Sequence, residues 1–148
     1  MINWQLKPFK DLSVQELYSI MQLRQEVFIV EQNCPYLDAD GKDLKSHHLM
    51  GFEGEELAAY ARIVPPGVSY DEVSIGRVVS GTKYRRQGYG QLLMQESIRQ
   101  IEKLYGNVPI RIGAQKYLLK FYEGFGFVKE GDEYLEDGIP HVIMVRKA

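Results

Sequence analysis

The chain has 148 residues, of which 45% are hydrophobic and 26% charged, so it is predicted to be one globular domain spanning residues 1–148. Its formal net charge of −2 offers no basic excess to neutralise phosphates, which argues against a nucleic-acid partner. The absence of a long apolar run and of a signal-peptide pattern, with Cys34 as the single cysteine, predicts a cytoplasmic protein with no membrane partner and no internal disulfide.

The start of the chain predicts a strand followed by a helical stretch. Residues 2–6 alternate apolar and polar side chains, as a half-buried strand does, and Pro8 ends that strand. Ser13 and Glu16 have the spacing of a capping box, in which the two side chains satisfy free N–H groups at a helix start. Apolar residues then recur at helical spacing, which predicts one helix or two short helices over residues 14–32.

Residues 31–43 are predicted to form an acidic loop, because Pro35 and Gly41 interrupt any regular pattern. Asp38 and Asp40 lie close together in this loop, but their spacing to Gly41 does not match a calcium-binding EF-hand, and no metal site is predicted. Two interpretations stay open. The loop is either a solvated turn or a lip that attracts a cationic substrate.

The middle of the chain predicts a hairpin of two strands, then a third strand, a helix and a fourth strand. These elements occupy residues 46–52, 57–64, 72–80, 88–105 and 109–114. A strand, a helix and another strand in this order make a crossover unit. The strands at 72–80 and 110–114 are therefore predicted to be parallel neighbours.

The turn between the third strand and the helix has a pattern suited to an anion. It reads Arg85-Arg86-Gln87-Gly88-Tyr89-Gly90, where the glycines let the backbone approach a phosphate and the helix start has free N–H groups. The two arginines add charge and planar donors. A Walker A loop and the dinucleotide fingerprint are excluded, because Gln91 and Leu93 stand where those patterns need Lys and a third Gly or Ala. A plain turn with exposed arginines is the alternative.

A second motif, Phe121-Tyr122-x-x-x-Gly126-Phe127, lies in a short amphipathic helix and the strand that follows it. Aromatic stripes of this kind more often pack in a core, which is the alternative interpretation. The chain is then predicted to close with a hairpin of strands at 127–130 and 140–146 around residues 132–138.

Together the two motifs resemble the GCN5-related N-acetyltransferases (GNAT). That family has an acyl-CoA loop with the signature Gln/Arg-x-x-Gly-x-Gly/Ala, and its catalytic tyrosine follows one helix and one strand later. The segments Val30–Tyr36 and Asp137–His141 are similar to the ElaA-like branch of the family. The resemblance covers nearly the whole chain. It implies an α/β (α+β) GNAT fold, with a mixed central sheet that is flanked by helices and contains a splayed parallel strand pair.

The resemblance also implies acetyl-CoA as co-substrate and no metal. The pyrophosphate would lie on the glycine turn, and the pantetheine arm would pair with backbone groups in the gap between the splayed strands. The implied binding residues are Val78, Val79, Ser80, Arg85, Arg86, Gln87, Gly88, Tyr89, Gly90, Gln115 and Phe121. The chain departs from the family at Gln115 and Leu118, where Asn and Ala are frequent.

The implied reaction moves an acetyl group to a primary amine by direct attack through a tetrahedral intermediate. Tyr122 is the implied acid for the leaving thiolate, and the backbone N–H of Val79 or Ser80 would stabilise the oxyanion. The acceptor is expected to be a small primary amine or an exposed amine of a protein or peptide, and a homodimer is left open.

The base that takes the ammonium proton stays open among Glu31, His48 and His141, each of which also has a purely structural interpretation. Some family members carry a glutamate base in the strand that here contains Ser74, so that base cannot be carried over. Cys34 is more simply a packed residue than an acyl carrier.

Two other functions are compatible with the sequence. A non-catalytic acyl-CoA-binding regulatory module would keep the glycine turn but can lose Tyr122, whose presence favours the enzyme. A small α/β interaction domain would bind no ligand.

Overall fold

Seven β-strands and three α-helices make up the fold, and the computed structural model describes every residue from Met1 to Ala148. The strands are β1 (Ile2–Pro8), β2 (His47–Glu53), β3 (Glu56–Val64), β4 (Ser74–Ser80), β5 (Ile110–Gln115), β6 (Phe127–Glu136) and β7 (Ile139–Arg146). The α-helices are α1 (Val14–Arg24), α2 (Tyr89–Tyr105) and α3 (Leu119–Glu123).

The strands form two antiparallel sheets that touch at one point. One sheet has the order β1-β2-β3-β4 and the other the order β5-β7-β6. They meet at a parallel bridge between Val73 and Ile110, where Arg111 N donates to Val73 O at 3.1 Å. Beyond this bridge β4 and β5 diverge. The predicted splayed parallel strand pair, with helices on the faces of the sheet, is therefore confirmed.

Helices cover the two faces of the first sheet, because side chains of β3 alternate between them. Ala59, Ala61 and Ile63 belong to the larger core cluster, which includes residues of α2. Tyr60 belongs to a smaller cluster with residues of α1 and its extension. Apolar side chains of β3 are thus buried on both faces of the strand.

The first helix begins with the predicted capping box. Glu16 N donates to Ser13 Oγ at 3.0 Å, and Ser13 N donates to Glu16 Oε1 at 2.8 Å. After Arg24 the helix widens into π-type turns over Gln25–Glu31, so the predicted helical stretch is continuous but not uniform. π-type turns are uncommon and often lie at functional sites, and this segment ends beside the cleft described below.

The closing hairpin is longer than the sequence predicted. β6 continues to Glu136, and the turn consists of Asp137 and Gly138, whose φ angles of 51° and 78° are both left-handed. Such a two-residue turn matches the twist of the strands it joins. The predicted loop at residues 132–138 was wrong because β6 is an edge strand with mostly exposed, charged side chains, so no apolar alternation marks it.

None of the helices combines the length and the apolar composition that crossing a membrane requires. The prediction of a single domain over residues 1–148 stays a prediction.

Candidate active site

A cleft of about 930 Å³ opens where β4 and β5 diverge. β4 contains a bulge there, since Arg77 and Val78 together face Ala61 of β3, and Arg77 has a left-handed φ of 51°. A non-glycine residue in this conformation is uncommon and is often found at functional sites. The bulge turns β4 away from β5 and leaves the β5-facing edge of β4 without a strand partner.

The unpartnered edge of β4 offers backbone groups to a ligand. Gly81 N donates to Ala58 O of β3 at 2.8 Å. Because backbone groups alternate along a strand, the N–H groups of Ser80 and Val78 are expected to face the other way, into the cleft. An extended ligand with amide groups fits an edge of this kind.

The glycine turn lies at the open end of the same cleft. Arg86 and Gly88 have left-handed φ angles of 68° and 76°, and no side chain caps the start of α2. The first N–H groups of that helix are therefore free to bind an anion, and Gly88 has no neighbour within 4 Å of the position of a Cβ. These features fit a pyrophosphate.

Arg85 is engaged by Glu31 in this structure. The guanidinium donates to both carboxylate oxygens at 2.5 Å, and the two side chains are 41% and 39% exposed. The hydrogen bonds from Arg85 lower the pKa of the Glu31 carboxyl. An ion pair this exposed contributes little stability, so an anionic ligand can replace Glu31 at small cost.

Tyr122 lines the cleft from near the end of α3, the short helix that follows β5. The side chain is only 7% exposed, yet its hydroxyl has no hydrogen-bond partner and is not among the fully enclosed polar atoms. The ring packs edge-on against Phe121 and Phe127. Burial raises the pKa of Tyr122 to about 12, so the hydroxyl holds its proton and remains a donor.

The two histidine candidates lie in different surroundings. His141 lines the cleft, its Nδ1 is 2.7 Å from Ile139 O, and its Nε2 is 3.5 Å from Glu136 Oε2. A carbonyl can only accept, so Nδ1 carries the proton and Nε2 is left with a free lone pair. His141 can therefore act as a base.

His48 is fully buried and lies outside the cleft. Its Nε2 is 2.9 Å from Asp43 O and must donate, so its Nδ1 accepts from Tyr60 Oη at 2.6 Å. Burial lowers the pKa of this imidazole. With both nitrogens engaged and no access to the cleft, His48 has a structural role.

The acidic loop matches neither of its two interpretations. Asp38 is 4% exposed and accepts from Arg24 Nε and Arg77 Nε, each at 2.8 Å. Asp40 accepts from Arg62 at 2.8 and 3.0 Å, and these bonds outweigh burial and lower its pKa to about 2. The prediction of a solvated turn or an attracting lip was wrong, because three arginines from separate elements neutralise the aspartates.

Asp43 completes this arginine–aspartate cluster, which we define as Arg24, Asp38, Asp40, Asp43, Arg62 and Arg77. Its carboxylate accepts from Arg24 at 2.7 Å and from Arg62 at 3.0 Å. The cluster ties the loop to α1, β3 and the bulge of β4. It therefore holds one wall of the cleft in place.

The cleft brings together most of the residues that the sequence singled out. Those that line it are Glu31, Val78, Val79, Ser80, Arg85, Gly90, Gln115, Phe121, Tyr122 and His141. The rest of the glycine turn, from Arg86 to Tyr89, connects two lining residues without itself lining the cleft. Within it, the Tyr89 ring stacks on Tyr84 with 5.8 Å between centroids.

Cys34 also lines the cleft, but it acts as a tie between two segments. Its Sγ donates to the backbone oxygen of Asp137 at 3.5 Å, which joins the loop after α1 to the β6–β7 turn. No histidine or carboxylate bonds the thiol. The interpretation of Cys34 as a packed residue fits this arrangement.

Sequence reasoning missed Tyr70, Gly113 and Glu136, which also line the cleft. No motif marks Tyr70, which lies in the irregular segment between β3 and β4. Glu136 directly precedes the ElaA-like segment that begins at Asp137. Its position next to that segment is the one sequence signal that points to Glu136 as a site residue.

Comparison with known proteins places the chain among acyltransferases. Residues 11–148 match the family model described as an acetyltransferase (GNAT) domain. Protein ElaA of Escherichia coli K12 is 43% identical over 149 residues, covering 99% of this chain and 97% of that protein. A crystal structure of an acyl-CoA N-acyltransferase from Pseudomonas aeruginosa is 43% identical, with a TM-score of 0.94 and 99% of both chains covered. The crystal structure of E. coli ElaA is 42% identical, with a TM-score of 0.93, and covers 99% of this chain and 100% of that one.

Proposed function

The chain belongs to the GNAT acetyltransferase family, and on this premise we propose that it transfers an acetyl group from acetyl-CoA to a primary amine. The observation that carries the proposal is the cleft at the β4–β5 splay. It has a free helix start and glycine turn at one end, and the hydroxyl of Tyr122 and the imidazole of His141 line it. Acetyl-CoA supplies the activated acetyl thioester, and the chain supplies binding, orientation and proton transfer.

Binding of acetyl-CoA is assigned to two parts of the chain. The N–H groups at the start of α2 and the side chain of Arg85 hold the pyrophosphate, with Arg85 exchanging Glu31 for the ligand. The backbone of Val78 and Ser80 on the free edge of β4 holds the amide-containing arm. One N–H of this edge is also in position to stabilise negative charge that develops on the reacting carbonyl oxygen.

Proton transfer is assigned to His141 and Tyr122. The amine must lose its ammonium proton before it can attack, and His141 Nε2 is the free lone pair in the cleft that suits this step. Tyr122 donates to the leaving thiolate, since its phenol stays protonated at neutral pH. Glu31 is the weaker candidate for the base, because the hydrogen bonds from Arg85 lower the pKa of its carboxyl and so reduce its affinity for a proton.

Calorimetric titration with acetyl-CoA, followed by a thiol-release assay over a panel of primary amines, tests this function. The proposal requires binding of acetyl-CoA and release of thiol that depends on an added amine. Binding without turnover for every amine would instead favour a non-catalytic acyl-CoA-binding regulatory module. Absence of binding would contradict both.

A further inference from the structure

Two tyrosine hydroxyls converge on Gly113 of β5, a residue that lines the cleft. A Cβ at Gly113 would lie 2.8 Å from Tyr134 Oη and 3.1 Å from Tyr70 Oη, so the missing side chain makes the room that they occupy. Tyr70 comes from the segment between β3 and β4, and Tyr134 comes from β6 of the other sheet. Both side chains are half-buried. Neither hydroxyl has a partner in the protein, and neither is fully enclosed. Tyr70 and Gly113 line the cleft, and the Tyr134 hydroxyl lies directly behind Gly113.

A carboxylate and an imidazole complete the group. Glu136 Oε2 lies 3.5 Å from His141 Nε2 and has no other ion-pair partner, and the His141 ring lies 5.8 Å from the Tyr134 ring. Burial, with smaller contributions from Tyr70 and Glu136, raises the pKa of Tyr134 to about 12. Burial and the negative charge of Glu136 also raise the pKa of Tyr70. The four side chains therefore share one electrostatic environment.

The group lies near the end of the cleft where β4 and β5 meet. Counted from the Val73–Ile110 bridge, Gly113 is three residues along β5, level with Gly76 and next to the bulge at Arg77 on β4. The glycine turn follows the other end of β4, after Ser80. A ligand that enters along β4 from the glycine turn would thus have its far end near these hydroxyls.

We propose that Tyr70, Tyr134, Glu136 and His141 form the subsite that binds the ammonium group of the acceptor. This inference rests on the acetyltransferase function proposed above and names the chemistry of the second substrate. An ammonium group has three donors, and here it meets two hydroxyl oxygens and one carboxylate that lack protein donors. Because Gly113 has no side chain, the two hydroxyls can lie close together at this end of the cleft.

The same group removes the proton that blocks attack. One ammonium proton passes to His141 Nε2, and Glu136 stabilises the resulting imidazolium. The nitrogen lone pair then forms the C–N bond with the acetyl carbon while the C–S bond breaks. Tyr122 gives its proton to the thiolate, and the second proton of the attacking nitrogen then restores the Tyr122 phenol and leaves a neutral amide. The imidazolium of His141 releases its proton to solvent, so one net proton is released per amide formed. Glu136 is a positioning residue in this scheme, and His141 is the catalytic base.

Kinetics with two amines test the subsite. The probes are n-butylamine, which is an ammonium ion at neutral pH, and 2,2,2-trifluoroethylamine, which is already neutral there. Tyr70→Phe and Tyr134→Phe remove one hydroxyl each and are expected to raise the KM for n-butylamine about three- to ten-fold. Glu136→Gln is expected to raise it about ten-fold or more. His141→Gln is expected to lower kcat for n-butylamine about 100-fold.

Trifluoroethylamine separates this role from simple packing. Trifluoroethylamine needs neither an ammonium site nor a base to become neutral before it attacks. Glu136→Gln and His141→Gln are therefore expected to change its kinetics much less than those of n-butylamine. The matched controls are Tyr18→Phe and Glu102→Gln, which are exposed side chains outside the cleft. The subsite would be overturned if Glu136→Gln and His141→Gln lost as much activity with trifluoroethylamine as with n-butylamine. Unchanged n-butylamine kinetics in all four subsite variants would overturn it as well.

Failure of the subsite remains distinguishable from failure of the acetyltransferase function. The parent protein is first titrated with acetyl-CoA and assayed with both amines. If it binds no acetyl-CoA, or acetylates neither these two amines nor any other amine of the panel, the function proposed above fails and the subsite fails with it. Turnover of other amines but of neither probe would contradict the subsite alone. If it acetylates n-butylamine while the variants behave like the controls, the subsite alone is wrong.

Discussion

Tyr122 carries its proton at neutral pH, because burial raises the pKa of its phenol to about 12. Replacing it with Phe keeps the ring and its packing against Phe121 and Phe127 but removes the donor. We expect Tyr122→Phe to lower kcat about 100-fold, with acetyl-CoA affinity within about two-fold of the parent. Steady-state kinetics at saturating amine and calorimetry measure the two quantities.

Tyr105→Phe is the matched control, since Tyr105 lies at the end of α2 and does not line the cleft. If turnover of Tyr122→Phe at saturating substrates equals that of this control, proton donation to the thiolate belongs to another group.

Glu31 is expected to compete with acetyl-CoA for Arg85, since its carboxylate accepts from two nitrogens of the guanidinium. We expect Glu31→Gln to tighten acetyl-CoA binding about two- to five-fold, because an exposed ion pair of this size no longer has to break. Calorimetry with acetyl-CoA and a measurement of kcat with n-butylamine check the prediction. A fall of about 100-fold in kcat would instead make Glu31 the base.

The sequence could not separate the two histidines at this scale. His48 and His141 both lie in strands, and although His141 ends the ElaA-like segment that begins at Asp137, that segment assigns it no role. What separates them is long-range packing. Asp43 and Tyr60 enclose His48, whereas the splay of β4 from β5 opens the space beside His141.

At the scale of elements, the turn into α2 depends on the left-handed Gly88. We expect Gly88→Val to raise the Kd for acetyl-CoA about ten-fold or more, because a branched side chain strains this conformation and blocks backbone approach to the pyrophosphate. The control is Gly54→Val in the β2–β3 turn, where φ is 61° and a Cβ also has no neighbour within 4 Å. Equal affinity in the two folded variants would place the pyrophosphate elsewhere.

The arginine–aspartate cluster makes the stability of the loop depend on pH. Arg62 holds the pKa of Asp40 at about 2, below its ordinary value, so the bond stabilises the fold above about pH 4. This contribution, about 1 kcal/mol once solvent screening of the partly exposed pair is allowed for, is lost as pH falls from about 4 towards 2, when Asp40 is protonated. The pKa of Asp43 is lowered as well, which adds to the same loss.

Urea unfolding at neutral pH and near pH 3 measures this dependence in the parent and in Asp40→Asn. The variant is expected to be less stable at neutral pH and to lose less stability on acidification. If acidification lowered the free energy of unfolding equally in the two proteins, Asp40 would not be a source of the pH dependence.

The loop also shows why an element can be located from sequence while its role cannot. Pro35 and Gly41 correctly predicted irregular backbone. The partners of its aspartates are Arg24, Arg62 and Arg77, which come from a helix and two strands, and no local pattern reports that convergence.

At the scale of the whole molecule, the order of elements was predictable because most of them bury an apolar face with a clear period. The glycine turn and the Phe121-Tyr122 motif fixed the family, which the comparisons confirm. Exceptions are exposed or long-range features. β6 is an exposed edge strand, and Tyr70 reaches Gly113 only because the two sheets diverge.

We propose that the cleft between the two sheets is where the acetyl group of acetyl-CoA passes to a primary amine. Mass spectrometry after incubation with isotope-labelled acetyl-CoA and n-butylamine tests it most directly. The account predicts labelled N-butylacetamide in an amount equal to the thiol released, and a strong reduction of both in Tyr122→Phe. Thiol release without labelled amide, or no product from a sample that binds acetyl-CoA, would contradict it.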